Sequence, residues 1–135
     1  MRRTLMAMLG ALLVASPLAA IGPAGAGEPL GVTAARNQVL RQGCHGYAYT
    51  YRVTPPPYTS TWSAEILLIG PRGGKVGSTY LLSPSDPASG KRVWRLCRST
   101  AIPGKYTMRM KVTSIDIYDL HTSWVQPTTF RISRP

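Results

Sequence analysis

Apolar and polar residues alternate along several short segments of this chain, a period of two that is typical of β-strands with one buried face. The alternation is clearest around Met108 and Met110, which are separated and flanked by polar residues. Turn-forming glycines and prolines separate the segments, and no segment after residue 26 sustains a helical period. Strands are predicted at residues 47–54, 62–69, 76–82, 92–97, 106–113 and 129–133.

These strands predict an all-β fold in a single domain. A chain of 135 residues can bury one core, and short strands separated by turns pack well as a sandwich of two sheets. We expect about seven strands over residues 37–135. Residues 27–36, rich in Gly, Pro and Ala, offer little to bury and are expected to form a mobile arm.

The first 26 residues indicate an export signal. Arg2 and Arg3 precede an apolar run, residues 5–15, that is too short to span a bilayer. Small residues follow, so cleavage is expected after Ala26, with a cut nearer Ala20 left open. The general secretory and twin-arginine routes both stay open. We therefore expect a secreted, extracellular protein with no membrane span in its mature part.

The chain contains two cysteines, Cys44 and Cys97. An exported chain reaches an oxidising compartment, where such a pair is expected to form a disulfide bond. Their separation is too long for a zinc knuckle and suits a structural bridge.

Residues 103–106, Pro-Gly-Lys-Tyr, resemble the lead into the penultimate strand of immunoglobulin-like and fibronectin-like domains. Trp62 and the alternation that runs into the turn at 70–73 resemble strand C of the same families and the turn after it. The resemblance implies an immunoglobulin-like β-sandwich. It also implies that the Tyr106 ring packs inward while its hydroxyl bonds back to the chain.

Under this resemblance the disulfide departs from the antibody pattern, in which the bridge joins strands B and F across the two sheets. Cys97 precedes the Pro-Gly-Lys-Tyr turn and therefore belongs to strand E, whereas Cys44 precedes strand B. Strands B and E are antiparallel neighbours in one sheet. The two cysteines share the parity of Arg52 and Arg95, so the bridge is expected within one sheet, near its outer face.

Groups that could support catalysis are few, and no nucleophile motif or phosphate-binding loop is present. Asp116, Asp119 and His121 could form a metal cluster, but isolated loop residues of this kind are usually solvated turn formers. Met108 and Met110, together with His45 and His121, suggest copper chemistry, yet the two methionines share the parity of the core positions. We therefore predict no catalytic residue, cofactor or metal, and keep a metal-dependent enzyme as a minor alternative.

The formal net charge is +11, which favours contact with anionic polymers. An arginine-rich coding bias explains the same balance. Arg109, Lys111 and Arg131 are predicted on the outer face of the last two strands and form the candidate binding surface. Its alternative is a solvated sheet face, with Glu65 as partial counter-charge. Nucleic acid is not expected as a partner, because no recognition motif accompanies the charge.

Together these features predict a secreted, non-enzymatic binding or structural module. Its partner would be an anionic cell-surface polymer or a secreted protein. A secreted inhibitor of an extracellular hydrolase, acting through the loop at residues 83–90, is the alternative. Tyr58 and Tyr80 are further candidates, for a sugar-binding platform near the loops.

Overall fold

The computed structural model describes residues 30–135, which form two β-sheets around one hydrophobic core. The predicted export signal and its cleavage sites lie outside these residues. Between residues 30 and 135 no helix is present, and hence none that could cross a membrane. The strands are β1 (Gly31–Ala34), β2 (Gln38–Val39), β3 (Cys44–Val53), β4 (Thr61–Ile69), β5 (Lys75–Leu82), β6 (Ser89–Cys97), β7 (Gly104–Ile115), β8 (Leu120–Trp124) and β9 (Thr128–Ser133).

The strands are divided unequally between the sheets. The smaller sheet has the order β1-β3-β6, and the larger has the order β2-β9-β7-β4-β5. Strands β8 and β9 both pair with β7, β8 along its second half and β9 along its first. The amide of Val125 donates to the carbonyl of Met110 at 2.8 Å. This bond keeps the chain against β7 where it passes from β8 to β9.

The predicted alternation holds through the core, and the all-β prediction is confirmed. The three tyrosines of β3 are buried, and each hydroxyl finds a partner at the edge of the core. The Tyr49 hydroxyl donates to Thr79 Oγ1 at 3.2 Å, and burial raises the pKa of this tyrosine. The largest fully buried side chains are Tyr47, Tyr49, Tyr106, Ile66, Leu68, Leu81, Met108, Met110, Ile132 and Val112.

One glycine allows the two sheets to approach closely. The Trp94 ring of β6 stacks on Tyr49 with 4.7 Å between ring centroids. It also covers Gly77 of β5, where an added Cβ would lie 3.2 Å from the indole ring. A side chain at Gly77 would therefore require the indole to shift by a few tenths of an ångström.

The disulfide prediction is confirmed. Cys44 and Cys97 are bonded and lie directly opposite each other on β3 and β6. No register shift interrupts this pairing, so both cysteines keep the parity of the outward-facing residues and Cys44 is exposed. The bridge thus lies within one sheet and on its outer side, and it closes a loop across a sequence separation of 53.

Order begins earlier than the composition of residues 27–36 predicts, because β1 lies within that segment. This strand pairs with β3 and buries a threonine in place of a large apolar residue. The Thr33 hydroxyl donates to Thr128 Oγ1 at 3.0 Å, and the Thr128 hydroxyl donates to the Thr33 carbonyl at 2.7 Å. Paired hydroxyls thus join the two sheets at a position with no hydrophobic signal.

The lead into β7 has the bond expected for its tyrosine. The Tyr106 hydroxyl donates to the carbonyl of Ile102 at 2.7 Å, and its ring stacks on Phe130 at 5.8 Å. Gly104 has φ +147° and packs against Pro71, whose side chain would lie 2.9 Å from an added Cβ. Glycine is therefore required where β7 begins.

Candidate functional site

Four side chains form one row across the outer face of the larger sheet. Tyr80 on β5 lies opposite Glu65 on β4, Glu65 lies opposite Lys111 on β7, and Lys111 lies opposite Trp124 on β8. Residues directly opposite on antiparallel strands have their Cβ atoms about 5 Å apart, so each side chain can contact the next. We call these four residues the cross-sheet row.

The contacts along the cross-sheet row are polar at one end and aromatic at the other. The Tyr80 hydroxyl donates to Glu65 Oε1 at 2.8 Å, and Lys111 Nζ lies 3.1 Å from Glu65 Oε2. At the other end Lys111 Nζ lies 5.6 Å from the centre of the Trp124 ring, and Arg109 Cζ lies 4.4 Å from it. Two cations therefore share one indole.

The electrostatics of the row follow from these contacts. The hydrogen bond from Tyr80, followed by the bond from Lys111, lowers the pKa of the Glu65 carboxyl below its ordinary value. The same contact with Glu65 raises the pKa of the Tyr80 hydroxyl. Glu65 is therefore ionised at neutral pH and offsets the charge of Lys111. Within residues 30–135 Arg109 has no acidic partner, so its charge stays available.

The predicted surface residues share a face, but the structure brings only two of them together. Arg109 and Lys111 meet at Trp124, whereas Arg131 lies opposite Lys105 near the beginning of β7. Arg109 follows Lys105 by four positions along β7, which places their Cα atoms roughly 13 Å apart. Arg131 and Lys105 thus form a separate basic pair on the same face.

Apolar side chains are exposed beside the cross-sheet row. Ile115 lies opposite Leu120 at the turn between β7 and β8, and both are exposed. Leu82 is exposed on the same face of β5, next to the Tyr80 end of the row. The outer face of the larger sheet therefore combines cations with aromatic and aliphatic surface.

The candidate metal residues have structural partners. Asp116 Oδ1 accepts hydrogen bonds from the amides of Tyr118 and Asp119, each at 2.7 Å. These bonds close the turn between β7 and β8, and they lower the pKa of the Asp116 carboxyl. Met108 and Met110 are fully buried in the core. In the part of the chain that the structure describes, no group of three or more His, Cys, Asp or Glu side chains could hold a metal ion.

The loop at residues 83–90 is braced by hydrogen bonds, and β6 already begins at Ser89. Asp86 accepts from the amide of Leu82 at 2.9 Å and pairs with Arg92 at 2.6 Å. The Tyr51 hydroxyl donates to the carbonyl of Pro87 at 3.0 Å. The segment is therefore bound to its own domain along much of its length.

The two candidate tyrosines occupy different surroundings. Tyr80 belongs to the cross-sheet row, whereas Tyr58 lies in the loop before β4, 96% exposed and with φ 71°. Sequence reasoning did not single out Trp124, because all five residues of β8 are exposed and no alternation marks the strand. One signal for this strand was available in the sequence. The turn at 116–119 follows the strand predicted at 106–113, and a turn of this kind after a strand is consistent with a hairpin whose second strand contains Trp124.

No model of a known protein family, no curated protein and no solved structure matches this chain significantly.

Proposed function

We propose that this chain is an exported, non-enzymatic binding module with an immunoglobulin-like fold, and that the outer face of its larger sheet binds an anionic polymer. The observation that carries the proposal is the placement of Arg109 and Lys111 on the exposed ring of Trp124. The polymer class is one that offers repeated anionic groups and flat apolar surface, as acidic polysaccharides of cell surfaces do.

The strand order supports the immunoglobulin-like part of the proposal. Strands β1, β3 and β6 correspond to A, B and E of such domains, and β9, β7, β4 and β5 correspond to G, F, C and C′. The bond from Tyr106 to Ile102 corresponds to the tyrosine corner. The disulfide between the B and E equivalents departs from the antibody arrangement.

The shape of the face favours an extended ligand. Small-molecule sites are concave, whereas the cross-sheet row lies along the open face of a sheet. Three interstrand spacings separate Tyr80 from Trp124, which places them about 14 Å apart. An aromatic residue at each end and charges between them suit a chain that lies across the strands.

The charge of the face favours an anionic ligand. The guanidinium of Arg109 contacts an aromatic ring and no carboxylate among residues 30–135. Lys111 has Glu65 on one side and the indole on the other. An arriving sulfate or carboxylate would thus gain a hydrogen bond from Arg109 without first breaking an ion pair.

Binding to immobilised dextran sulfate tests the proposal. The double variant Arg109→Gln/Lys111→Gln should weaken binding roughly three- to thirtyfold, as expected for two exposed charges. Added salt should weaken the unmodified protein more than the variant, because salt screens exposed charges. Arg52→Gln/Lys91→Gln removes the same charge from the smaller sheet and should retain affinity.

An equal loss in the two double variants would contradict the proposal, since binding would then follow net charge alone.

Charge reversal at single arginines shows which part of the outer face contacts the polymer. Arg131→Glu should weaken binding less than Arg109→Glu, because Arg109 contacts the Trp124 ring whereas Arg131 lies opposite Lys105, away from that ring. Salt-sensitive retention on isolated cell walls, lost in Arg109→Glu, would extend the result to a natural polymer.

A further inference from the structure

A cleft of about 380 Å³ opens at the end of the molecule away from the turn between β7 and β8. One wall is the turn at residues 70–74 between β4 and β5, and the other is the loop at residues 98–103 between β6 and β7. The cleft is distinct from the cross-sheet row and shares no residue with it. Its volume lies within the range of small-molecule sites.

The two walls are held in place by the fold. The amide of Ala101 donates to the carbonyl of Cys97 at 2.8 Å, and the disulfide fixes Cys97 to β3. The hydrogen bond from the Tyr106 hydroxyl to the Ile102 carbonyl holds the far end of the same loop. Contact between Pro71 and Gly104 positions the opposite wall. A ligand therefore meets a largely preformed cleft, which limits the loss of conformational entropy on binding.

The lining is mainly apolar, and its polar side chains are those of Arg72, Arg95 and Thr100. Its charged residues are Arg72 and Arg95, and no acidic residue lines the cleft. Within residues 30–135 neither guanidinium forms an ion pair or a side-chain hydrogen bond. The apolar part of the lining is formed by Pro71, Val76, Leu96, Ala101, Ile102 and the Tyr106 side chain.

We propose that this cleft binds a small amphipathic carboxylate, with its apolar body between the two loops and its carboxylate on Arg72 and Arg95. The guanidinium group matches a carboxylate in a planar, bidentate arrangement, so two of them favour this headgroup. The apolar walls favour a hydrocarbon body, because contact with it removes Val76 and Ile102 surface from water. The chemistry is that of a medium-chain fatty acid.

Amide chemical-shift perturbation with sodium octanoate tests this assignment. Octanoate should shift the amides of residues 70–76 and 95–102 in a saturable way, and 1-octanol, which has the same chain without the charge, should bind at least tenfold more weakly. Arg72→Gln/Arg95→Gln should reduce octanoate affinity tenfold or more. Arg109→Gln/Lys111→Gln, matched in charge, should leave it unchanged.

A second variant blocks the cleft without changing its charge. Val76 is half exposed, so Val76→Phe can fill the opening without disturbing the core, and it should also reduce octanoate binding. Equal binding of octanol and octanoate, or unchanged affinity in Arg72→Gln/Arg95→Gln, would overturn the proposal. Absence of shifts in the cleft at about 10 mM octanoate, the range of very weak ligands, would do the same.

Carboxylate binding in the cleft does not depend on polymer binding at the outer face of the larger sheet. Arg72→Gln/Arg95→Gln should keep its affinity for dextran sulfate, and Arg109→Gln/Lys111→Gln should keep its affinity for octanoate. If one of the two ligands does not bind, the binding of the other can therefore still be tested. If both double variants lower both affinities alike, general charge attraction explains the binding and the cleft is not a specific site.

Discussion

At the scale of single residues, the cross-sheet row shows how neighbouring groups define a surface. Sequence parity predicts that Arg109 and Lys111 point outward and that Glu65 provides counter-charge. It contains no information on which side chains of different strands lie opposite one another. Trp124 joins the cations only because the tight turn closed by Asp116 folds β8 back onto β7. Its role therefore depends on pairing that a single-residue pattern does not specify.

Removal of the indole tests the aromatic part of the row. Trp124→Ala should weaken dextran sulfate binding about threefold, because Arg109 and Lys111 lose the ring that orders them, a contact worth about 0.5–1 kcal/mol at an exposed site. The free energy of unfolding, measured by urea denaturation, should change by less than about 1 kcal/mol because the ring is half exposed. Tyr58→Ala, which removes an exposed aromatic residue from a loop, should leave binding intact; an equal loss there would argue against a specific role for Trp124.

Protonation of Glu65 should strengthen polymer binding. Its pKa is lowered by Tyr80 first and then by Lys111, with Lys75 contributing at longer range. The carboxylate thus stabilises the fold above its ordinary pKa, and that contribution is lost as the pH falls through the lowered pKa. In the same window Lys111 loses its counter-charge, so affinity for dextran sulfate, which stays ionised, should rise.

Glu65→Gln isolates this effect from other carboxyl groups. It should bind dextran sulfate more tightly than the unmodified protein at neutral pH and show a smaller rise in affinity on acidification. Identical pH profiles for the two proteins would contradict the role assigned to Glu65. Tyr80→Phe should raise the pKa of Glu65 towards its ordinary value, which NMR titration of the carboxyl carbon can measure.

At the scale of strands, alternation was a good guide where one face is buried and a poor one elsewhere. Strands β3, β4 and β7 have the clearest pattern because each lines the core. Strand β1 was missed because a hydrogen-bonded threonine, Thr33, occupies a buried position. Strand β8 was missed because it buries no side chain. Both are held mainly by backbone pairing, which leaves little trace in hydropathy.

The contact between Gly77 and Trp94 tests how closely the sheets approach. Gly77→Val should lower the free energy of unfolding by about 1–3 kcal/mol, since the new side chain overlaps the indole. Gly74→Val is the matched control, because an added Cβ there meets no atom within 4 Å. Urea denaturation measures both, and equal effects would show that Gly77 has no special packing role.

The disulfide between β3 and β6 should provide a large share of the stability. Cys44→Ser/Cys97→Ser should lower the free energy of unfolding by about 4 kcal/mol, the loop entropy expected for this sequence separation. Denaturation in urea checks the value, and reduction of the unmodified protein should give a similar loss. A change below about 1 kcal/mol would indicate that strand pairing alone holds this end of the smaller sheet.

At the scale of the whole molecule, positive charge is spread over both sheets, so net charge alone could not identify a binding face. Arg52 and Lys91 lie on the smaller sheet, opposite the face that contains Arg109. What distinguishes the larger sheet is the combination of charge with exposed Trp124 and Tyr80. That combination arises from strand order, which local sequence patterns do not specify. The cleft between the turn at residues 70–74 and the loop at residues 98–103 likewise forms only because the fold brings together two segments that are distant in sequence.

The most direct test of the polymer-binding face is a map of amide and indole chemical-shift changes on addition of a short dextran sulfate oligomer. The proposal predicts that the largest changes occur at Arg109, Lys111 and the Trp124 indole, and that they reverse with salt. Larger changes at Arg52 and Lys91 on the smaller sheet, or equal changes over both faces, would contradict it.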